Sequence, residues 1–387
     1  MCLDKVEAAI ADIRNGKMVI VVDEEDRENE GDLTIAAEKV TPEVINFMAT
    51  YGRGLICMPM TGERLDELKI PQMVNDNQSL HGTAFCVSIE ALRNVSTGIS
   101  AADRAETILT AIHPDTQPND LIRPGHIFPL RAKTGGVLER AGQTEAAVDL
   151  ARMAGQSPAG VICEIMNPDG TMARMNDLIQ FSEQHGIRIL SVVDLIKYRL
   201  RTERFITRLE VLPFDCEFGS FQLYLYESQL DGSRHLAFVK GDIGNGEPML
   251  LRVQVESVLS DVFGSNKFNS GREVQKCLRI IEQEGRGVLV YLRLKDPGHG
   301  LLKDVREHKG QVHRRTEYSS FKDVGIGGQI VSDLALRNVR VLTNHPKKMA
   351  GLEGFDINVI EQLGIDAMVG EEEVPLKDIA SIVSHEV

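Results

Sequence analysis

Ten residues near the start of the chain, Asp23 to Asp32, read Asp-Glu-Glu-Asp-Arg-Glu-Asn-Glu-Gly-Asp: seven carboxylates around one guanidinium. Magnesium and similar hard cations take oxygen ligands, commonly one or two carboxylates together with waters and a phosphorylated substrate. The run has such donors, and Arg27 inside it carries a charge suited to an anion. The competing reading is a solvated acidic loop, the usual fate of a charge run. An EF-hand calcium loop is excluded: with Asp26, Glu28 and Glu30 ahead of Gly31, its twelfth position must be Glu and is Ala37.

Further along are groups able to move protons or hold phosphate. His126 follows Arg123-Pro124-Gly125, where a Pro-Gly turn would aim it outward, as an acid or base or as an ordinary surface imidazole. Glu164 stands among Val161, Ile162, Cys163 and Ile165, so it either points to a polar face or has its pKa raised for proton transfer. Ser96-Thr97-Gly98-Ile99-Ser100 and Arg140-Ala141-Gly142-Gln143-Thr144-Glu145 each run into a helix, and free N–H groups at a helix start attract phosphate. The first also reads as a plain cap, with Ser100 and Asp103 spaced as a capping box.

Positioning these residues requires a scaffold, which the apolar pattern supplies. Met18 to Val22, Leu33 to Ala36, Leu55 to Met60, Ile127 to Arg131 and Ala159 to Met166 read as strands. Helices are predicted over 4–14, 42–49 with Thr41 as cap, 101–112, 144–154, 177–186 and 191–200. A charged hinge, Arg199 to Arg204, then separates a domain of residues 1–202 from one of residues 203–387. In the latter, strands at 222–226, 235–240, 250–256, 287–292 and 340–343 alternate with helices at 273–284 and 328–336. The predicted fold class is α+β, a mixed-sheet domain with helices followed by a second mixed α/β domain.

Composition narrows the function. Hydrophobic residues at 42% and charged residues at 26% are those of a globular protein, and no run of apolar residues is long enough to span a membrane. With neither a basic leader nor an apolar signal core at Met1 to Lys5, the expected location is the cytoplasm. A net charge of -14 argues against a nucleic-acid partner and leaves room for a small anion held by local cations. The six cysteines include no Cys-x-x-Cys pair and read mostly as reduced core residues, with Cys57 the one nearest the proposed chemistry.

Arg27 to Asp32, Ser96 to Arg104, Arg123 to Leu130, Arg140 to Ala146, Cys163 to Met166 and Asp169 to Arg174, in that order, resemble the signature of 3,4-dihydroxy-2-butanone 4-phosphate synthase. The resemblance implies a lyase acting on ribulose 5-phosphate, yielding formate and the four-carbon phosphate used for riboflavin. It implies magnesium, with manganese as a substitute, bound by Glu28. Arg27, Glu28, Asp32 and Glu164 would meet the sugar phosphate, together with Arg140, Ala141, Gly142, Gln143 and Thr144. His126 and Glu164 match positions essential to catalysis, Asp32 would be an accessory base or hydroxyl partner, and Cys57 and Thr97 would line the site. A homodimer is implied as well. One departure stands out: Gln143 occupies the place where the family commonly has a His as second metal ligand. An amide oxygen binds magnesium but is a weaker donor than imidazole toward manganese or zinc, so the expectation is activity favouring magnesium and reduced in rate.

The second half resembles GTP cyclohydrolase II at Gly241-Asp242, Asp261 to Ser265, Glu284 to Arg293 and Leu342 to Lys348. That family's catalytic zinc is held by three thiolates, whose places here are taken by Val258, Phe268 and Ser270. Its glycine-and-arginine loop has become Lys295-Asp296-Pro297-Gly298-His299-Gly300. The expectation is a zinc-free, catalytically silent domain with a structural or regulatory role. Two alternatives remain, a regulatory protein with both domains degenerate and an enzyme that also acts on GTP.

Overall fold

The computed structural model describes residues 2–24, 27–243, 246–265, 270–293, 305, 317–344, 355 and 357–368. Glu25, Asp26, Phe268 and the 295–300 loop lie outside the described residues. The main division into two compact units falls between Arg204 and Phe205.

The first unit is built on a seven-stranded mixed sheet: β1 (Val19–Val22), β2 (Gly31–Ala36), β3 (Cys57–Met60), β4 (Ile89–Ala91), β5 (Leu121–Arg131), β6 (Gly160–Glu164) and β7 (Arg188–Ser191), in the order β4-β5-β3-β6-β2-β1-β7. The helices are α1 (Cys2–Arg14), α2 (Pro42–Phe47), α3 (Gly62–Glu67), α4 (Ala101–Ile112), α5 (Gln143–Met153), α6 (Met175–His185) and α7 (Val192–Thr202). β1 is buried along its length, as an unbroken apolar run with cover on both faces must be. On one face Leu33, Ile35, Met58, Val161 and Cys163 pack with Ile45 of α2, Ile108 of α4 and Leu178 of α6. On the other, Cys57, Leu130 and Ile162 pack with Ala147 of α5. Gly160 permits that close approach, since a Cβ there would lie 2.7 Å from the Ala147 Cβ.

The predicted Pro-Gly turn before His126 is not a turn. Arg123–Pro124 is a cis peptide inside β5, and residues 123–126 form a bulge, because Ile122 pairs with Glu90 while Ile127 pairs with the adjacent Ile89. A bulge re-aims side chains without ending the strand. Gly125 fits there because a Cβ would lie 2.1 Å from the carbonyl of Ile89. The short β4, three residues long, has no periodicity to read and went unpredicted.

The second unit also contains a seven-stranded mixed sheet: β8 (Ile206–Cys216), β9 (Gly219–Ser228), β10 (Arg234–Lys240), β11 (Met249–Val255), β12 (Gly287–Leu292), β13 (Asn338–Leu342) and β14 (Asn358–Leu363), in the order β14-β13-β11-β12-β10-β9-β8. Along the series β8, β9, β10 and β12 each strand is antiparallel to the next, while β12, β11, β13 and β14 are mutually parallel. Among its helices are α8 (Val258–Asp261), α9 (Ser270–Glu284), α10 (Glu317–Asp333) and α11 (Ile365–Met368). α9 buries Cys277, Leu278 and Ile281 against Phe221, Leu250 and Leu289. Both sheets are mixed and both carry helices, as the α+β reading required.

A candidate active site on one face of the first sheet

Strand register gathers the proposed proton-transfer residues into a row. Asp32 on β2 pairs directly with Glu164 on β6. Two residues earlier, Ile162 pairs with Cys57 on β3, and Cys57 pairs with Phe128 on β5. Side chains alternate along strands, so Asp32, Glu164, Cys57 and Phe128 share the sheet face on which α5 packs, and His126 stands at the end of the β5 bulge two residues before Phe128. β3 is antiparallel to β6 and parallel to β5, and Leu55, two residues before Cys57, stands beside Glu164. The backbone entering β3 closes on the carboxylate: Leu55 N donates to Glu164 Oε2 at 2.8 Å. A Cβ on Gly54 would lie 2.5 Å from both that oxygen and the Glu164 carbonyl, so only glycine allows this approach.

The acidic run is the β1–β2 connection, and it is pinned against the sheet. Buried Asp23 acts as its internal tie, with Oδ1 accepting from Glu30 N at 2.9 Å and Oδ2 from Glu28 N at 3.0 Å and Arg27 Nη1 at 2.8 Å. From outside, Arg174 donates to the carbonyls of Glu28, at 2.9 Å, and Asn29. The charges of the turn therefore reach the row. Burial pushes the Asp32 carboxyl well above the ordinary range, with Glu164 and then Glu28 adding to it. Glu164 is raised by burial, and Glu28 again adds to the shift. Glu30 is raised by burial and by Glu28. Carboxylates that raise one another's pKa in this way are short of positive charge, and a divalent cation fits among them. Among the described residues no three His, Cys, Asp or Glu side chains are grouped to hold a metal ion.

Beside the turn stands the start of α5. Its N-cap is Gly142, with no side chain capping the first N–H groups. Arg27 Nη1 donates to Gln143 Oε1 at 2.8 Å, and Arg140 is held by Glu145 at 2.6 Å and by Thr83 Oγ1 and the His81 carbonyl. A Cβ at Gly142 would lie 2.4 Å from Arg140 Nη1 and 3.0 Å from Arg27 Nη2, so two guanidinium groups flank an uncapped helix start with Thr144 buried beneath it. This corner has the charge and donors for a phosphate. Gln143 commits its oxygen to Arg27, and its buried Nε2 has no hydrogen-bond partner among the described residues.

The start of α4 behaves differently from the phosphate site that its sequence allowed. Asp103 takes the Ser96 hydroxyl at 2.7 Å and the N–H groups of Ser96 and Gly98 at 3.1 and 2.9 Å. Half of the capping box forms, Ser100 Oγ accepting from Asp103 N. The other half is absent because Asp103 turns back to those donors, which hold its carboxyl down at about 2. Thr97 is left exposed at the tip of this turn. The buried Cys57 thiol is kept protonated by desolvation and by the nearby Glu164 and Asp32.

Three residues of this region had not been singled out as site residues: Asp23, Arg174 and Glu90. Glu90 of β4 holds His126, Nδ1 to Oε2 at 2.7 Å. Its sequence signal, one carboxylate between Ile89 and Ala91, is the same as that of Glu164, but over too short a segment to stand out.

In the second unit, two of the three positions expected to lack zinc thiolates are described. Val258 opens α8, while Ser270 Oγ donates to Asp261 Oδ1 at 2.6 Å. The other Asp261 oxygen accepts from the Tyr291 hydroxyl at 2.6 Å and Ser257 N at 2.9 Å. Cys277 is buried in α9, and the Cys216 thiol donates to the Gly219 carbonyl. The described donor set does not fit a thiolate-held zinc.

Comparison with known proteins bears on both units. Residues 7–198 match the 3,4-dihydroxy-2-butanone 4-phosphate synthase family and residues 207–364 the GTP cyclohydrolase II family. Riboflavin biosynthesis protein RibBA of Aquifex aeolicus is 49% identical over 372 residues, covering 93% of this chain and 92% of the relative. RibBA of Synechocystis sp. is 47% identical over 373 residues, covering 93% of this chain and 67% of the relative. Among solved structures, RibBX, a two-domain 3,4-dihydroxy-2-butanone 4-phosphate synthase from A. baumannii, superposes with a TM-score of 0.77 at 40% identity, covering 93% of this chain and 99% of that one. A synthase solved in complex with two magnesium ions gives a TM-score of 0.50 at 42% identity, covering 52% of this chain and 98% of its own. The chain therefore belongs to the riboflavin biosynthesis family in which a 3,4-dihydroxy-2-butanone 4-phosphate synthase domain precedes a GTP cyclohydrolase II domain.

Proposed function

We propose that the first domain converts D-ribulose 5-phosphate into 3,4-dihydroxy-2-butanone 4-phosphate and formate, with magnesium bound through Glu28. The observation that carries this reading is the single row of Asp32, Glu164 and His126, overhung by the acidic turn and flanked by the uncapped start of α5. The phosphate sits at that helix start between Arg27 and Arg140, which runs the sugar across the row. Glu164, held above its ordinary pKa, is tuned to take a proton next to the ketone and return one later. His126 serves the second transfer, and Asp32 holds a substrate hydroxyl. A cation held at Glu28 would stabilise the negative charge that develops on the substrate oxygens. Gln143, turned toward Arg27, orients that guanidinium and leaves its amide N–H for the substrate.

The test is product analysis by NMR on the purified chain incubated with ribulose 5-phosphate. Formate and the four-carbon phosphate are expected with magnesium, a weaker yield with manganese, and a fall of at least about 10²-fold in Glu28→Ala. No formate at saturating magnesium would favour a non-catalytic, regulatory protein instead.

For the second domain, Val258 and Ser270 at thiolate positions support a structural or regulatory role without zinc. RibBX, a two-domain relative named for the synthase activity alone, supports the same reading. The observation favouring a further activity on GTP is the family match over residues 207–364.

A further inference from the structure

We propose that Glu90 is a positioning residue for the synthase reaction: its buried carboxylate fixes the tautomer and direction of the His126 ring, so that Nε2 faces the substrate. The inference rests on the synthase reading above and adds to it a residue that binds neither cation nor phosphate.

Glu90 lies at the middle of β4, its side chain 11% exposed, while the His126 side chain is 43% exposed. Its two oxygens have unequal surroundings. Oε2 is 2.7 Å from His126 Nδ1, and Oε1 is buried with no hydrogen-bond partner among the described residues. A carboxylate that merely satisfied the interior would have both oxygens occupied, because leaving one bare costs free energy. The fold nevertheless closes around it. Gly98, at φ +90°, would place a Cβ 1.9 Å from Oε1 and 2.1 Å from Oε2, so the backbone of the Ser96–Ser100 turn lies directly on the carboxylate. The ring is anchored from its own side as well: Gly125 lies against the Ile89 backbone, and its N–H donates to Ser88 Oγ at 3.2 Å. Both partners are thus immobilised by glycines whose substitution by any other residue would separate them.

The chemistry follows from donor and acceptor rules. An ionised carboxylate only accepts, so in a neutral ring Nδ1 carries the proton and Nε2 keeps its lone pair. A histidine free to rotate or to change tautomer would offer the site a base only part of the time. A buried acid holding the far nitrogen removes that freedom.

The experiment uses the full-length protein with ¹⁵N-labelled histidine, together with steady-state kinetics of Glu90→Gln, Glu90→Asp and Gly98→Ala. In the wild type the neutral His126 ring is expected to show a protonated Nδ1 and a bare Nε2. Glu90→Gln, with an amide able to donate as well as accept, should give a tautomer mixture and a kcat lower by roughly 10²-fold, with KM for ribulose 5-phosphate within about twofold. Glu90→Asp should recover part of that loss. Gly98→Ala keeps the acid but pushes it aside, and should reproduce both the loss and the tautomer change. A wild-type spectrum with Nε2 protonated overturns the proposal, as does a Glu90→Gln enzyme of full kcat or one altered only in KM. The wild-type spectrum requires no variant to fold, and it is read whether or not formate is released. Failure of this inference and failure of the synthase reading are therefore distinguishable.

Discussion

Buried Asp32 and half-buried Glu164 are neighbouring carboxylates on paired strands, and each is harder to ionise than a carboxylate in water. A group whose pKa is raised by folding contributes stability below its unfolded value, near pH 4, and that contribution is lost as pH rises through the folded value. The metal-free protein should therefore be strained at neutral pH by the residues that make it active. In thermal melts, Glu164→Gln should unfold at a higher temperature than the wild type at pH 7, with the difference vanishing below about pH 4, while formate release is lost. Magnesium should raise the wild-type midpoint more than that of the variant. An equal or lower midpoint for metal-free Glu164→Gln at pH 7 would contradict this account. Residue types carried much of this in the sequence: a carboxylate inside an apolar strand is visible as an anomaly, and Glu164 was read as one. Its partnership with Asp32 was not visible, because strand register depends on contacts between segments more than 130 positions apart. The commitment of the Gln143 oxygen to Arg27 was hidden for the same reason.

At the scale of elements, the helix starts divide the work. α5 leaves its first N–H groups uncapped beside two arginines, whereas α4 spends a carboxylate on holding the preceding turn together. That turn carries Thr97 and lays Gly98 on Glu90, so Asp103 supports the His126 side of the site from a distance. Because hydrogen bonds hold the Asp103 pKa down at about 2, its contribution to stability is present above the unfolded value near pH 4 and is lost as pH falls through about 2. Asp103→Asn should lower the urea midpoint at pH 7, with the gap to the wild type closing as pH falls from 4 toward 2; a gap independent of pH would contradict this role. Most long elements were legible from apolar spacing, including α4 from Ala101 to Ile112. The β5 bulge was not, because Pro-Gly reads as a turn in isolation and only the pairing of Ile122 and Ile127 with adjacent β4 residues shows the strand continuing. β8 escaped notice for a different reason: as an edge strand it is exposed along most of its length and shows no alternation.

Over the whole molecule the net charge is -14, and Arg27 and Arg140 bring two guanidinium groups, each paired with carboxylates, to one helix start. Both units are built on seven-stranded mixed sheets. In the second, Ser270, Asp261 and Tyr291 bond to one another near Val258. Full-length protein supplied with zinc and GTP should retain no stoichiometric zinc after dialysis and consume no GTP, and zinc-dependent GTP turnover would restore the case for a second activity. The residues Val258, Phe268 and Ser270 were visible in the sequence, whereas the hydrogen bonds of Ser270 and Tyr291 to Asp261 required the fold. The central claim is that the acidic turn, the α5 start and the Asp32–Glu164–His126 row act on one sugar phosphate. The most direct measurement is a crystal structure of Glu164→Gln with magnesium and ribulose 5-phosphate. The account predicts phosphate at the start of α5 between Arg27 and Arg140, magnesium on Glu28, and the sugar carbons spanning from the substituted end of β6 to His126. A sugar phosphate bound away from that sheet face, or a cation with no contact to Glu28, would contradict it.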